Sequence, residues 1–252
     1  MKVVTWNVNS VRARLDHVLA FLAEEQPDVL ALQEIKCEVH DLPTMEFRAA
    51  GYTSVALGQK SYNGVALLTK ETPAEVRDGL NGDPGRVPEA RAISAKVGGI
   101  SFLNVYVPNG AEVSSDKFAY KLKWLEALTD TIDSRYYDDE PLVVLGDFNI
   151  APRDEDVWDT RLWAGSVLCE PRVRQHLNNL LEWGLRDCIP ENESPFTWWD
   201  YRGAGFEQDN GLRIDLTLHT DAVAIQSSRV GRKWRSLERA SDHAPVIVEI
   251  AV

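Results

Sequence analysis

Polar side chains interrupt the apolar runs of this chain at the points where β-strands are expected to end or begin. The residues concerned are Asn7, Glu34, Asp147 with Asn149, Asp215, and Asp242 with His243. Strands this apolar belong in a core, where an unpaired carboxylate or amide costs kilocalories of free energy. The sequence therefore predicts that these strand ends meet at one rim and build one polar site.

The pattern of hydrophobic residues predicts about ten strands and three clear helices. Helical spacing is found at 11–25, 114–134 and 172–183, with Ser114 or Ser115 as the N-cap of the second helix. Continuous or alternating apolar runs lie at 2–7, 28–34, 52–57, 63–69, 91–97, 100–107, 142–147, 212–218, 222–230 and 245–251. This content predicts an α/β fold, a four-layered α/β sandwich in which two packed mixed β-sheets are flanked by helices.

The whole chain, residues 1–252, is expected to form a single domain, because its polar site draws on both ends of the sequence and any cut would divide it. Three cysteines without a CxxC pair suit a reducing compartment. Neither a membrane-spanning apolar run nor a secretory signal is recognisable. We therefore expect a cytoplasmic protein that does not associate with membranes.

The formal net charge of −12 argues at first sight against a nucleic-acid partner. A site made of carboxylates becomes locally cationic only after it has bound a divalent metal, however, and the charge of that ion must be counted. Basic residues also gather between Arg229 and Arg239, just before Asp242. The charge leaves a DNA substrate open.

The residue types at the strand ends favour a hard divalent cation. Mg²⁺ prefers oxygen ligands, which Glu34 and the amide of Asn7 provide, and no Cys/His spacing suggests zinc. Asp147 provides a carboxylate to orient or deprotonate water, and Asn149 an amide to hold a phosphate oxygen. An Asx-turn before Pro152 would explain Asn149 but not Asp147.

His243 is the most suggestive histidine, and Asp215 is its natural partner. A buried carboxylate on one imidazole nitrogen fixes the tautomer and leaves the other nitrogen for the reaction. Tyr106 and Asn109 end another strand, where a plain Pro-Asn-Gly turn is the alternative interpretation. The aromatic segment 196–202, with Trp198, suits nucleotide stacking and a hydrophobic plug equally well.

The motif series of the whole chain resembles the exonuclease III family of apurinic/apyrimidinic (AP) endonucleases within the endonuclease/exonuclease/phosphatase superfamily. The motifs are Trp6-Asn7-Val8-Asn9, Leu32-Gln33-Glu34-Ile35-Lys36, 104–110, Gly146-Asp147-Phe148-Asn149, Leu212-Arg213-Ile214-Asp215 and Ser241-Asp242-His243-Ala244-Pro245. They occur in the family's order from one end of the chain to the other. Their combination makes the resemblance specific, whereas one motif alone would be weak.

The resemblance implies a role for each matching residue. The metal site is Glu34, Asn7 and Asp242; the catalytic groups are Asp147, Asn149, His243, Asp215 and Tyr106; and the substrate-binding residues are Asn109, Trp198, Leu212, Ile214 and Arg213. Trp198, Leu212 and Ile214 fall where the family builds an apolar pocket for a flipped-out abasic sugar. Asp147 and His243 could exchange duties as the base.

The resemblance also implies the activity: a Mg²⁺-dependent (or Mn²⁺-dependent) DNA repair nuclease that hydrolyses the phosphodiester 5′ to abasic sites. It would also act as a 3′–5′ exonuclease and as a 3′-phosphodiesterase or phosphatase. Its partner would be double-stranded DNA with abasic or 3′-blocked sites, bound by a monomer. Two alternatives stay open, because fold alone does not decide function: a catalytically silent nucleic-acid-binding regulator, and a superfamily phosphatase or phospholipase.

Overall fold

Two six-stranded β-sheets form the centre of the molecule in the computed structural model, which describes residues 1–85 and 89–251. The strands of this part of the chain are β1 Lys2–Asn7, β2 Val29–Gln33, β3 Thr53–Leu57, β4 Val65–Thr69, β5 Ala74–Asp78, β6 Ala92–Val97, β7 Ile100–Tyr106, β8 Leu142–Asp147, β9 Arg186–Asp187, β10 Trp198–Trp199, β11 Gly211–Leu212, β12 Asp215–His219, β13 Ile225–Val230 and β14 Val246–Ile250. The helices are α1 Leu15–Glu25, α2 Thr44–Ala49, α3 Asp116–Arg135, α4 Thr160–Trp163, α5 Pro171–Trp183 and α6 Arg232–Arg235.

Both sheets are mixed. The first has the strand order β13-β14-β1-β2-β4-β3, and the second β5-β6-β7-β8-β12-β9. One neighbouring pair in each sheet is parallel: β1 with β2, which places Asn7 opposite Gln33, and β7 with β8, which places Tyr106 opposite Asp147. The other neighbours are antiparallel, and β10 pairs with β11 as a separate ribbon.

Three apolar clusters divide the molecule into four layers. The cluster between the sheets takes side chains from both, among them Val29, Leu67, Phe102, Leu145 and Val248. A second cluster packs α3 and α5 on the outer face of the second sheet, and a third packs α1, α2 and α6 on the outer face of the first. The predicted four-layered α/β sandwich is confirmed.

The helix that later bears on the site, α3, starts as the sequence predicts. Ser115 is its N-cap, and the Ser115 hydroxyl oxygen accepts a 3.2 Å hydrogen bond from the backbone N–H of Phe118. Among the predicted strands, the run 212–218 was wrong as one element: it divides into β11 and β12, because Leu212 pairs with Trp198 of the separate ribbon. The pattern also missed β5, an edge strand whose residues are all exposed.

None of the helices in the described part of the chain has the length and apolarity needed to cross a membrane. All three cysteines are free thiols. The extent of the domain, 1–252, stays a prediction.

Candidate active site

Strand pairing brings the polar residues of the sequence motifs to one edge of both sheets. The parallel strands β1 and β2 end at Asn7 and just before Glu34, and the parallel strands β7 and β8 end at Tyr106 and Asp147. Because the carboxyl ends of parallel strands meet at the same edge, these four side chains converge.

Antiparallel strands supply the remaining residues from their starting ends. Asp215 begins β12 and lies opposite Asp147 in the register with β8. His243 precedes β14, which is antiparallel to β1, and its backbone carbonyl accepts a 3.1 Å hydrogen bond from Nε1 of Trp6. The rim therefore consists of the carboxyl ends of some strands and the amino ends of others.

Asn7 joins the two carboxylates at the centre of the site. Its Nδ2 donates to Glu34 Oε1 at 2.8 Å and to Asp147 Oδ2 at 2.9 Å, while its Oδ1 accepts from the backbone N–H of Asn9 at 3.0 Å. We predicted Asn7 as a metal ligand. In this structure its amide nitrogen, which cannot bind a cation, faces the carboxylates, so Asn7 orients Glu34 and Asp147.

His243 is buried between two acids. Its Nδ1 lies 2.8 Å from Asp215 Oδ2, and its Nε2 lies 3.8 Å from Asp147 Oδ2. Burial alone would lower the pKa of His243, but the carboxylates of Asp215 and Asp147 raise this pKa to about 10. The imidazole is therefore a cation at neutral pH, oriented by Asp215 with Nε2 directed at Asp147.

Glu34, Asp147 and His243 each place one ligand-type atom within 4.8 Å of the other two. Burial raises the pKa of Asp147 although His243 acts in the opposite direction, so its negative charge is poorly compensated by the protein alone. Because His243 is held as a cation by Asp215, the ligand oxygens available are those of Glu34 and Asp147. A hard divalent cation that keeps part of its water shell fits this donor set.

Lys36 already places a positive charge beside the proposed ligands. Its Nζ lies 2.8 Å from Glu34 Oε2, and burial, which works to raise the pKa of Glu34, is outweighed by the hydrogen bonds from Lys36 and Asn7. Glu34 is thus ionised and ready to bind a cation. Glu34 and Lys36 both have left-handed backbone conformations, with φ of 51°, a local strain of the kind that clusters at functional sites.

Asn149 and Asn109 form the wall beside Asp147. The Asn149 backbone N–H donates to Asp147 Oδ1 at 2.9 Å, and Asn109 Nδ2 donates to Asn149 Oδ1 at 3.0 Å. Tyr106 lines the same wall with Arg91 4.8 Å above its ring. Burial, together with Glu34 and Asp147, raises the pKa of Tyr106 well above its usual value, so its hydroxyl stays protonated and can donate.

A cavity of about 810 Å³ opens above these groups and has one apolar side. Trp198 and Ile214 line it as predicted, and Trp163 packs edge-on against Trp198, with ring centroids 6.1 Å apart. Asp242 also lines the cavity, with its oxygens occupied by Trp198 Nε1 at 3.1 Å and Asn9 Nδ2 at 3.1 Å. Asp242 lies outside the three-residue cluster, and its role as a ligand stays a prediction.

The structure does not bring two of the predicted substrate-binding residues to the cavity. Arg213 is fully buried and forms ion pairs with Asp156 and Asp187, each 2.7 Å at its shortest. Consecutive residues of an extended segment point to opposite faces, so Ile214 in the cavity wall requires Arg213 to point away. Leu212 is fully buried in its pairing with Trp198 and does not line the cavity.

Acidic groups predominate around the cavity. Its lining includes Glu34, Glu112, Asp147, Asp200 and Asp242. An anionic substrate approaching these carboxylates would be repelled unless a bound cation offset them. Asp200 and Arg202 line the cavity within the segment 196–202 that the sequence singled out. Sequence reasoning missed Trp163, which lies on the four-residue α4, where no motif marks it.

Comparison with known proteins agrees with this arrangement. Residues 4–243 match the Endonuclease/Exonuclease/phosphatase family. The chain is 32% identical to the exodeoxyribonuclease III of Haemophilus influenzae, with 99% of each chain covered. Among solved structures, the 3′–5′ exonuclease of Neisseria meningitidis is 42% identical with a TM-score of 0.95, and an AP endonuclease from Archaeoglobus fulgidus is 35% identical with a TM-score of 0.96, each over 100% of both chains.

The chain therefore belongs to the Endonuclease/Exonuclease/phosphatase family. Within that family it is a phosphodiester hydrolase of the exonuclease III type, as its motifs predict.

Proposed function

We propose that this protein is a Mg²⁺-dependent DNA repair nuclease that cleaves the phosphodiester 5′ to abasic sites in duplex DNA and also removes nucleotides or phosphate groups from 3′ ends. The observation that carries the proposal is the meeting of Glu34, Asp147 and His243 at the base of one cavity. Mn²⁺ is the expected substitute ion. The protein would act as a monomer in the cytoplasm.

The protein's own groups have distinct roles in this reaction. Asp147, with its pKa raised by burial, orients a water molecule for in-line attack and accepts its proton. His243 presents the protonated Nε2 toward charge that develops on the phosphoryl oxygens, and Asp215 holds the imidazole in that orientation. The amide of Asn149 lines the cavity where those oxygens would lie, and Asn109 Nδ2 donates to the oxygen of that amide.

Glu34 and Asp147 would hold the cation, with Asn7 keeping their carboxylates in place. The bound ion would supply Lewis-acid polarisation of a phosphoryl oxygen. Tyr106 remains protonated at neutral pH and is placed on the cavity wall to donate a hydrogen bond to the substrate phosphate.

The apolar side of the cavity supports damaged DNA as the substrate. The walls formed by Trp198, Trp163 and Ile214 suit a sugar without a base, because the hydrophobic walls exclude water and offer stacking faces. A relative from Neisseria, 42% identical with a TM-score of 0.94, is described as a 3′ phosphatase bound to a product DNA hairpin. Terminal 3′-phosphate is therefore a second substrate to be measured beside the abasic site.

The two other candidate functions are less well supported. A catalytically silent regulator would not require His243 Nε2 to lie 3.8 Å from Asp147 Oδ2 while Asp215 binds the other ring nitrogen. A phosphatase or phospholipase for small substrates would not require the paired indoles that wall the cavity.

The test uses three labelled duplexes: one with a single abasic analogue, one with a 3′-phosphate at a nick, and one undamaged. We expect Mg²⁺-dependent incision of the first, phosphate release from the second, and loss of both activities in EDTA. Binding without cleavage in Mg²⁺ would favour a regulator, and faster hydrolysis of a phospholipid or inositol phosphate would favour the other class.

Variants assign the activity to this site. Asp147→Asn and His243→Asn should each lower the incision rate by roughly 100-fold or more, since each removes a group that acts on the reacting atoms. His219→Asn is the matched control, because His219 lies at the far end of β12 from Asp215. A near-normal rate for Asp147→Asn or His243→Asn would show that the assigned role is wrong.

A further inference from the structure

A buried lysine lies under the wall of the cavity that Asn109 and Asn149 form. Lys121 projects from α3, is fully buried, and has no carboxylate within ion-pair distance among the described residues. Burial lowers the pKa of Lys121 to about 7, although Asp147 acts to raise it. Keeping an ammonium group in such a place is costly, so its contacts require an explanation.

Its three N–H donors bind three backbone carbonyls from three separate segments. Lys121 Nζ donates to the carbonyl oxygens of Asn149 at 2.7 Å, Val167 at 2.9 Å and Asn109 at 3.1 Å. The protonated amine has three donors, and these three carbonyls use all of them. The three segments are the loops after β7 and β8 and the loop between α4 and α5.

Each of these segments contributes to the cavity wall. Asn109, Asn149 and Val167 all line the cavity, and the amide of Asn109 donates to the amide oxygen of Asn149. Asn149 has a left-handed backbone, with φ of 49°, and its carbonyl oxygen is directed at Lys121 Nζ. Lys121 therefore fixes the backbone of both asparagines from behind, without reaching the cavity itself.

The chain passes Lys121 so closely that the loop after β7 needs a glycine. Gly110 has φ of +98°, and a Cβ added there would lie 3.2 Å from Cδ of Lys121 and 3.2 Å from Cδ2 of Phe118. The loop is thus packed directly on the lysine stem.

We propose that Lys121 is a positioning residue of the nuclease site, which holds Asn109 and Asn149 in register with the substrate phosphate; this inference rests on the proposed function. A plain structural role would require only that the helix and loops stay folded. A positioning role requires in addition that the rate of phosphodiester cleavage falls in a variant whose loops still fold but whose three carbonyls no longer share a donor.

The test compares Lys121→Met with Leu128→Ala in steady-state and single-turnover cleavage of the abasic duplex. Methionine keeps much of the lysine stem and removes all three donors. Leu128 is buried on the same helix and has no side-chain hydrogen-bond donor, so its truncation lowers stability and leaves the three hydrogen bonds of Lys121 in place. We expect kcat of Lys121→Met to fall by roughly 10- to 100-fold with little change in KM, and kcat of Leu128→Ala to stay near wild type.

A double-mutant cycle with Asn149→Ala separates positioning from general destabilisation. If Lys121 acts through Asn149, Lys121→Met should cost no more than about twofold in the Asn149→Ala background, because coupled residues are non-additive. Equal losses in both backgrounds, or an unchanged kcat for Lys121→Met, would overturn the inference.

Lys121→Gln carries the same test if Lys121→Met does not fold. Its amide has two donors instead of three, so kcat should lie between wild type and the methionine variant, and a wild-type kcat would again count against positioning. A wild-type protein without any cleavage would defeat the proposed function, whereas an active wild type with an unaffected lysine variant would defeat this inference alone.

Discussion

Replacement of Asp215 by asparagine removes the charge that orients His243 while keeping the shape of the side chain. Asp215 Oδ2 lies 2.8 Å from His243 Nδ1, both side chains are buried, and Asp147 is the other carboxylate near the ring, with Oδ2 3.8 Å from Nε2. A hydrogen bond between charged groups contributes roughly 1.5–3 kcal/mol. Since 1.36 kcal/mol corresponds to one pKa unit, Asp215→Asn should lower the pKa of His243 by about one to two units.

The same interaction energy sets the expected loss of rate. If the imidazolium that Asp215 supports stabilises charge in the transition state, losing roughly 1.5–3 kcal/mol lowers kcat about 10- to 150-fold. The pKa is measured by NMR titration of His243 in metal-free protein, and kcat by steady-state cleavage of the abasic duplex. The folded fraction of each variant is determined as well, so that kcat is expressed per folded molecule.

Asp187→Asn is the matched control. Asp187 also pairs with a buried cation, Arg213, but at β9, away from the cavity. We expect Asp187→Asn to lose stability and to keep the pKa of His243 and the rate. The reasoning is refuted if Asp215→Asn keeps a pKa near 10 and a wild-type kcat, or if Asp187→Asn loses as much activity as Asp215→Asn.

Three further predictions concern the surroundings of the site. Arg213→Met should destabilise the fold by roughly 1.5–3 kcal/mol in urea unfolding, because Asp187 loses its cation and buried Asp156 keeps only Arg153. A higher KM with unchanged stability would instead show that Arg213 contacts substrate. Burial works to raise the pKa of Asp156, but the guanidinium groups around it lower this pKa below its usual 3.8. The stability that Asp156 contributes is therefore present above about pH 3.8 and is lost as pH falls through the lower folded-state pKa. Asp156→Asn should reduce the dependence of the thermal-unfolding temperature on pH in acid, and a dependence as steep as in wild type would contradict this. Trp198→Phe keeps a ring on the cavity wall but loses the 3.1 Å hydrogen bond to Asp242. Loss of about 1 kcal/mol of binding free energy should raise KM for abasic duplex roughly fivefold. An unchanged KM would show that this hydrogen bond does not orient the wall.

The residues that close strands could be predicted from sequence because strand ends are visible as breaks in apolar runs. Glu34, Asp147 and Asp215 were predicted to share a site, and the structure places them around His243. The four layers were also predicted from the apolar runs, because two apolar sheets bury one face against each other and the other face against helices.

The direction of a side chain could not be predicted as well. Arg213 stands in a motif between two residues assigned to the pocket, yet it points to Asp156 on the far side, because its neighbour Ile214 takes the cavity face. The role of Asn7 as an oxygen ligand stays a prediction; the sequence did not indicate that its amide nitrogen donates to both carboxylates. These directions depend on partners distant in sequence: Asp156 is 57 residues from Arg213, and Asp147 is 140 residues from Asn7.

Residues that support the cavity wall were also not identified from the sequence. Lys121 falls on the apolar face of α3, three residues after Phe118 and four before Leu125, and this spacing is the one sequence signal of its burial. Its three carbonyl partners lie in loops that the sequence pattern does not place. Trp163 lies in a segment without a motif, and its contact with Trp198 is set by the path of the loop between β8 and α5.

Binding of Mn²⁺, followed by its electron paramagnetic resonance signal, tests the metal site most directly. Glu34→Gln removes one of the two carboxylates assigned to the ion, and Glu38→Gln is the control, because Glu38 belongs to an exposed acidic cluster with His40 and Asp41. We predict one ion per wild-type chain at the tightest site, binding weakened at least tenfold by Glu34→Gln, and unchanged binding for Glu38→Gln. Equal affinity of Glu34→Gln and wild type would contradict the account of a cation held between Glu34 and Asp147.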